Sequence, residues 1–168
     1  MAPLNSTGRT LPDAGDIPTF AKFPAFKQLT GPLTLYRFGN EHGRWWYGKS
    51  LIDEMKSDFY DVTLGATRVR DPAGTILANP RGGLAISHEW NKLAWLCTMT
   101  LGKGDSVDCW AEAAAPQSEW QSKPDGRILH GGLTQYLIYD VSMIPACLIS
   151  KQSVASLWRE FSRTVARF

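Results

Sequence analysis

Turn-forming residues cut this chain into short apolar runs, and the length of those runs is the strongest limit on its fold. Gly39-Asn40, Asp71-Pro72-Ala73-Gly74, Asn79-Pro80-Arg81-Gly82-Gly83, Gly102-Lys103-Gly104-Asp105 and Pro124-Asp125-Gly126 are all turn sequences. Two segments read as helix. One opens at Ser50, where Ser50 and Asp53 fit the positions of a capping box and Leu51, Ile52 and Met55 supply an apolar face; it is expected to end near 57–60. In the other, Val154, Leu157, Trp158, Phe161 and Val165 recur at helical period. The remaining apolar runs read as strands at 33–38, 67–70, 84–87, 94–101, 107–113 and 133–139, with 94–101 and 107–113 paired as a hairpin. Strands without regular βαβ alternation predict an α+β domain.

Composition fits one domain: 168 residues, 43% of them hydrophobic. Residues 1–31, rich in Pro, Gly, Thr and Ala, read as an extended leader or linker pinned by Phe20, Phe23 and Phe26, ahead of a catalytic domain at 32–168. The net charge of +2, from 18 basic and 16 acidic residues, points away from nucleic acid or a membrane as the main partner. Met1 to Ile17 holds no apolar core of signal-peptide length, so any export is expected to use a route without a cleavable signal. Cys97, Cys109 and Cys147 form no zinc-ligand pattern and are expected to be buried free thiols suited to a reducing cytosol. Cys97 and Cys109 could face each other across the expected hairpin. No P-loop, dinucleotide glycine fingerprint, H-E-x-x-H or G-x-S-x-G motif occurs, and His42, His88 and His130 are far apart; no metal site is expected.

Two segments stand out. The first is Leu35-Tyr36-Arg37-Phe38-Gly39, followed by Gly43-Arg44-Trp45-Trp46; the second is Gly131-Gly132-Leu133-Thr134-Gln135-Tyr136-Leu137. In order and rough spacing they resemble the NAD(P)-glycohydrolase toxins typified by the tuberculosis necrotising toxin. That family has an Arg-aromatic-Gly strand end near its start and a Gly-Gly-x-Thr-Gln-Tyr strand near its end. The resemblance implies an ADP-ribosyltransferase-like fold, with split antiparallel sheets around an NAD cleft. It implies cleavage of the nicotinamide–ribose bond of NAD or NADP as substrate, with no further cofactor. It also implies an interbacterial effector acting in a target cell's cytoplasm, with a cognate immunity protein and a secretion-system carrier.

The residue types suit that chemistry. Loss of nicotinamide builds an oxocarbenium-like ribose and releases a neutral leaving group, so binding and orientation matter more than a strong acid. Arg37, at a strand end, can grip pyrophosphate through its fork, and Gln135 can hold ribose hydroxyls without charge. Glutamine in place of the glutamate common in transferases of that fold leans towards water as acceptor. Trp45, Trp46 and Tyr47 are candidates to cover the cationic ring. Arg44, Arg81 and Arg127 are candidates for phosphate contacts, Arg81 within a glycine-rich turn whose amides could cradle an anion. Tyr36, Phe38 and Thr134 flank the two central residues and complete the expected binding set. Glu112 and Glu119 are the nearby carboxylates that would serve transfer to a protein or RNA. Gly43-Arg44-Trp45 also faintly echoes NAD-degrading toxins of the Arg-Glu-Ser type. A third reading, from another class, is a non-catalytic binding module of a secretion system.

Overall fold

The computed structural model describes residues 2–5, 11–63, 78–87, 89–122 and 127–165. Every strand pair among them is antiparallel. Seven strands run in the spatial order β1-β5-β8-β3-β2-β4-β9: β1 (Ala25–Thr30), β5 (Ser106–Ala113), β8 (Thr134–Leu137), β3 (Trp45–Tyr47), β2 (Leu33–Phe38), β4 (Trp95–Leu101) and β9 (Ile149–Ser153). A separate ribbon joins β6 (Gln117–Ser118) to β7 (Ile128–Leu129). The helices are α1 (Ser50–Thr63), α2 (Ala78–Leu84) and α3 (Val154–Val165). The domain is α+β.

The sheet has a weak seam. Strands β2 and β3 meet in one registered pair, Tyr36↔Tyr47, whereas β2 and β4 share a ladder from Leu33↔Leu101 to Phe38↔Leu96. The seam divides β1-β5-β8-β3 from β2-β4-β9. At the other end the halves are continuous along the chain: β1 runs into β2 through Gly31-Pro32, and β4 runs into β5 through Gly102–Asp105. The expected hairpin between 94–101 and 107–113 therefore does not exist. Its two arms pair with β2 and β1 instead, because apolar faces on both arms bury more surface by folding the halves against each other. One buried cluster contains Leu35, Cys97, Met99 and Leu101 from one half and Val107, Cys109 and Ala111 from the other, with Trp46 and Ile138.

A second cluster lies under the helices. Leu51 and Met55 of α1, Leu84 of α2 and Val154 of α3 bury against Phe38, Tyr47 and Leu96, with Leu157, Trp158 and Phe161 partly covered beside them. The C-terminal periodicity is thus a docked face, as expected; the side chain of Val165 lies outside the described set. Helix α1 outlasts the expected stop and reaches Thr63. Residues 84–87, expected as a strand, are instead the end of α2 and a turn in which Ala85 adopts φ 51°. The glycines of 79–83 read as a turn but lie in α2, with Pro80 in its first turn where a missing N–H is tolerated. The expected strand at 67–70, the turns at 71–74 and 124–126, and His88 lie outside the described residues.

Residues 25–30 belong to the sheet rather than to a leader. The Ala21 N–H donates to Ala113 O, the Ala115 N–H donates to Thr19 O, and the Leu4 N–H donates to Ser106 O. Phe20 is buried against Trp110 and Leu137, whereas Phe23 is exposed. The alternation in Ala25–Thr30 escapes a hydropathy reading because β1 is an edge strand with mostly exposed side chains.

Gly131 sits where three segments meet. Its φ is +70°, its N–H donates to Gly82 O, and an added Cβ would overlap the Ala114 carbonyl. A backbone oxygen already holding the Gly132 N–H cannot retreat cheaply. We predict that Gly131→Ala destabilises the fold by about 2 kcal/mol or more in urea unfolding; a change below about 0.5 kcal/mol would contradict this packing.

Candidate functional site

A cavity of about 200 Å3 opens at the seam. Arg37 and Phe38 of β2, Trp45 and Tyr47 of β3 and Gln135 of β8 line it on the sheet side. Register places Gln135 on the face of Tyr36 and Tyr47, since Tyr36 pairs with Tyr47 and Tyr47 with Gln135; Arg37, the next residue of β2, meets the cavity where the strands part, with its guanidinium over Trp46. Two strand spacings therefore separate Gln135 from the residue before Arg37, about 10 Å. The outer wall comes from Leu84–Ile86, Trp90, Asn91, Ala115 and Gln117, with Thr19 at the N-terminal side.

Gln135 is 4% exposed and donates its amide nitrogen to Thr19 O at 2.7 Å. A carbonyl can only accept, so this bond fixes which end of the carboxamide is oxygen. A buried amide on this face needs a partner, and Thr19, within the stretch that reads from sequence as a leader, supplies it.

Arg37 is largely buried. Its Nη2 donates to Phe38 O at 3.2 Å, and its guanidinium carbon lies 5.9 Å from the Trp46 ring centre. Nε and Nη1 are sealed from solvent and meet no acceptor. Burial lowers the Arg37 pKa, opposed by Tyr47, Cys97 and Glu41. A methyl on Gly43 would overlap the guanidinium, so the glycine is what lets the turn close over it. Buried cationic donors without acceptors are costly, and an anion would recover that cost once the guanidinium turned towards the cavity. Burial also raises the Tyr47 pKa, so Tyr47 presents a neutral phenol.

Other expected residues lie elsewhere. Trp46 is fully buried on the far side of β3 and donates its indole N–H to Gly43 O at 2.9 Å. Strand alternation separates it from Trp45 and Tyr47, so it cannot cover a ligand in this cavity. Arg44 is ion-paired to Asp13 at 2.9 Å and Asp16 at 3.1 Å, away from the cavity. Arg81 is 2% exposed and donates to Ile86 O and Asn91 O. It holds the cavity's outer wall and offers no phosphate site. The Gly82 and Gly83 carbonyls accept from the Gly131 and Leu133 N–H groups. Tyr36 is half-buried in the helix-side core, Thr134 is exposed at the start of β8, and Arg127 is exposed. Glu112 pairs in register with Gln135, and its carboxylate accepts from the Ala113 N–H.

The sequence reading missed Thr19, Trp90, Asn91 and Gln117. Asn91 ties the wall to β2, donating to Phe38 O at 3.0 Å and accepting from the Leu93 N–H at 2.8 Å. All four lie in turns, irregular backbone or a two-residue strand, stretches too short to give a periodic signal, so none of them was legible. Among the described residues no group of three or more His, Cys, Asp or Glu gathers to hold a metal, and no helix is long and apolar enough to cross a membrane. No family model matches the chain, and no curated protein matches it.

Cys97 and Cys109 are buried, and burial pushes the Cys109 thiol up to about 12. Cys147, expected to be buried, is exposed in the turn at Ala146–Leu148. Cys97 and Cys109 lie on β4 and β5, which are not neighbours, so they do not face each other across a hairpin.

Two outcomes are expected. One thiol should react with a disulfide reagent in the folded protein near neutral pH and three in denaturant; rapid reaction of two or three without denaturant contradicts the burial. Arg37→Met should leave urea stability unchanged or raise it by up to about 2 kcal/mol, since it removes a buried, under-bonded charge. A loss above about 2 kcal/mol would mean that the guanidinium is a structural tie.

Proposed function

We propose that the protein is an NAD(P)+ glycohydrolase with an ADP-ribosyltransferase-like fold. The observation that carries this is the convergence of Arg37 and Gln135. They belong to two motifs far apart in the sequence, and both line one cavity at a seam between two antiparallel half-sheets. The divided sheet and the aromatic wall favour the same reading.

Size decides how a dinucleotide would sit. An apolar cavity of about 150 Å3 takes one benzene ring. A space of about 200 Å3 thus suits the nicotinamide ring and part of its ribose, and the adenylate half must lie along the rim. Phe38, Trp45 and Tyr47 offer aromatic surface to the cationic ring. The Gln135 carboxamide oxygen accepts from a ribose hydroxyl, and Arg37 turns out to meet the phosphates. The bond between ribose carbon and ring nitrogen breaks with its electron pair going to nicotinamide, which leaves neutral. Water then adds to the ribose, and its proton passes to solvent.

A second reading keeps the cavity and replaces water with a protein or RNA acceptor. Glu112, in register with Gln135, is the carboxylate that favours it. Export without a cleavable signal, a carrier and an immunity protein belong to the proposal as an interbacterial toxin; Trp90, exposed at the cavity mouth, offers apolar surface there.

Incubation with NAD or NADP alone tests the proposal. We expect stoichiometric nicotinamide release, lowered about a hundredfold or more by Gln135→Ala and by Arg37→Ala while both variants keep the native circular dichroism. Release that starts only on adding a macromolecule selects transfer. Unaltered dinucleotide in every condition rejects both readings and favours a non-catalytic module.

A further inference from the structure

We propose that the segment from Asp13 to Ala21 is a strap that aims the Gln135 carboxamide, with the Thr19 carbonyl as its tip. The inference rests on the reading of Gln135 given above, but the strap has its own observables. The Thr19 carbonyl takes two bonds, from the Ala115 N–H at 2.9 Å and from the Gln135 amide at 2.7 Å. It is therefore fixed relative to β8 and to the chain just past the end of β5 alike.

What fixes Thr19 is a clamp on the residues just before it. Asp16 is 7% exposed, which a carboxylate tolerates only when paired. Its Oδ1 accepts from Arg44 Nη2 at 3.2 Å, and its Oδ2 accepts from the Tyr139 hydroxyl at 2.9 Å while lying 3.1 Å from Arg44 Nη1. Arg44 also pairs with Asp13 and lies 5.3 Å over the Tyr139 ring. The Tyr139 hydroxyl accepts from the Asp13 N–H. The Asp16 backbone passes this restraint on directly: its carbonyl accepts from both the N–H and the hydroxyl of Thr19. Beyond Thr19, Phe20 is buried and rests 5.2 Å from the Trp45 ring. The strap is thus held by a charge clamp on one side of Thr19 and an apolar plug on the other.

This assigns Arg44 a role other than phosphate contact. Arg44 immediately precedes Trp45, so one short segment supplies both a cavity wall and the anchor of the strap that orients Gln135. Asp16, Arg44 and Tyr139 are positioning residues, because none of them lines the cavity.

Proton exchange of the Gln135 side-chain amide, identified in 15N spectra by its loss in Gln135→Ala, tests the strap without any substrate. In the intact chain those protons should exchange about tenfold or more slower than a free carboxamide, and Asp16→Ala should bring them close to the free rate. Tyr139→Phe removes one clamp bond at nearly constant shape; it should give a smaller shift in the same direction if Asp16→Ala fails to fold. Unchanged exchange in a folded Asp16→Ala, or in Tyr139→Phe where that is the only folded variant, overturns the proposal. Turnover supplies the second arm. Asp16→Ala should lower kcat about tenfold with KM altered less than about twofold, and should have no further effect in a Gln135→Ala background. Equal losses in both backgrounds would mean that the clamp supports the fold generally and does not act through Gln135. A chain that releases no nicotinamide at all fails the functional reading, and the exchange arm then decides the strap alone.

Discussion

One registered pair, Tyr36↔Tyr47, holds the two half-sheets together at the seam, and the cavity exists because no second pair follows it. Strands that stayed in ladder contact through Arg37 and Trp46 would leave no room between Phe38 and Trp45. Arg37 stands one residue past the last point of contact, and Gln135 stands one strand beyond it on the other side. The backbone of Gln135 is thereby held about two strand spacings, ~10 Å, from that of Tyr36, the residue before Arg37.

The rest of the molecule keeps the seam from closing or falling open. At the far end β1 continues into β2 and β4 into β5, so the half-sheets cannot separate without breaking the core of Leu35, Met99, Val107 and Ala111. On the open side Arg81 and Asn91 stretch the outer wall between α2 and β2. Buried Gly82 and Gly83 let α2 approach His130 and Leu133 closely, because a Cβ at either position would meet those side chains. Three segments with little sequence signal therefore form the wall opposite the two motifs.

Much of the fold was legible where periodicity spoke plainly. Leu33–Phe38 is the strand expected, the C-terminal face of Val154, Leu157, Trp158 and Phe161 docks as expected, and Gln135 lies on the buried side of its strand. The failures have physical causes. Gly102–Asp105 looks like a hairpin turn because local sequence cannot report that both arms prefer other partners. Pro80 and the glycines of α2 read as a turn because propensity is a weak prior once tertiary packing demands close approach. Trp45, Trp46 and Tyr47 read alike as aromatics, yet one-residue alternation sends Trp46 into the opposite core. Arg44 and Arg81 read as free cations because their partners, Asp16 and the carbonyls of Ile86 and Asn91, declare themselves only in space. Of the residues that line the candidate cavity, Arg37 and Gln135 were visible in the sequence and their supports were not.

On the proposed reading, one end of a nicotinamide dinucleotide enters the seam cavity with its phosphates on the Arg37 side. A crystal structure with a non-hydrolysable NAD analogue tests it most directly. We expect the ring against Phe38, Trp45 and Tyr47, a ribose hydroxyl within hydrogen-bond distance of the Gln135 oxygen, and the Arg37 guanidinium swung out to a phosphate. An analogue bound on another surface, or at the seam with Arg37 still sealed beneath Gly43 and no phosphate near it, would contradict it.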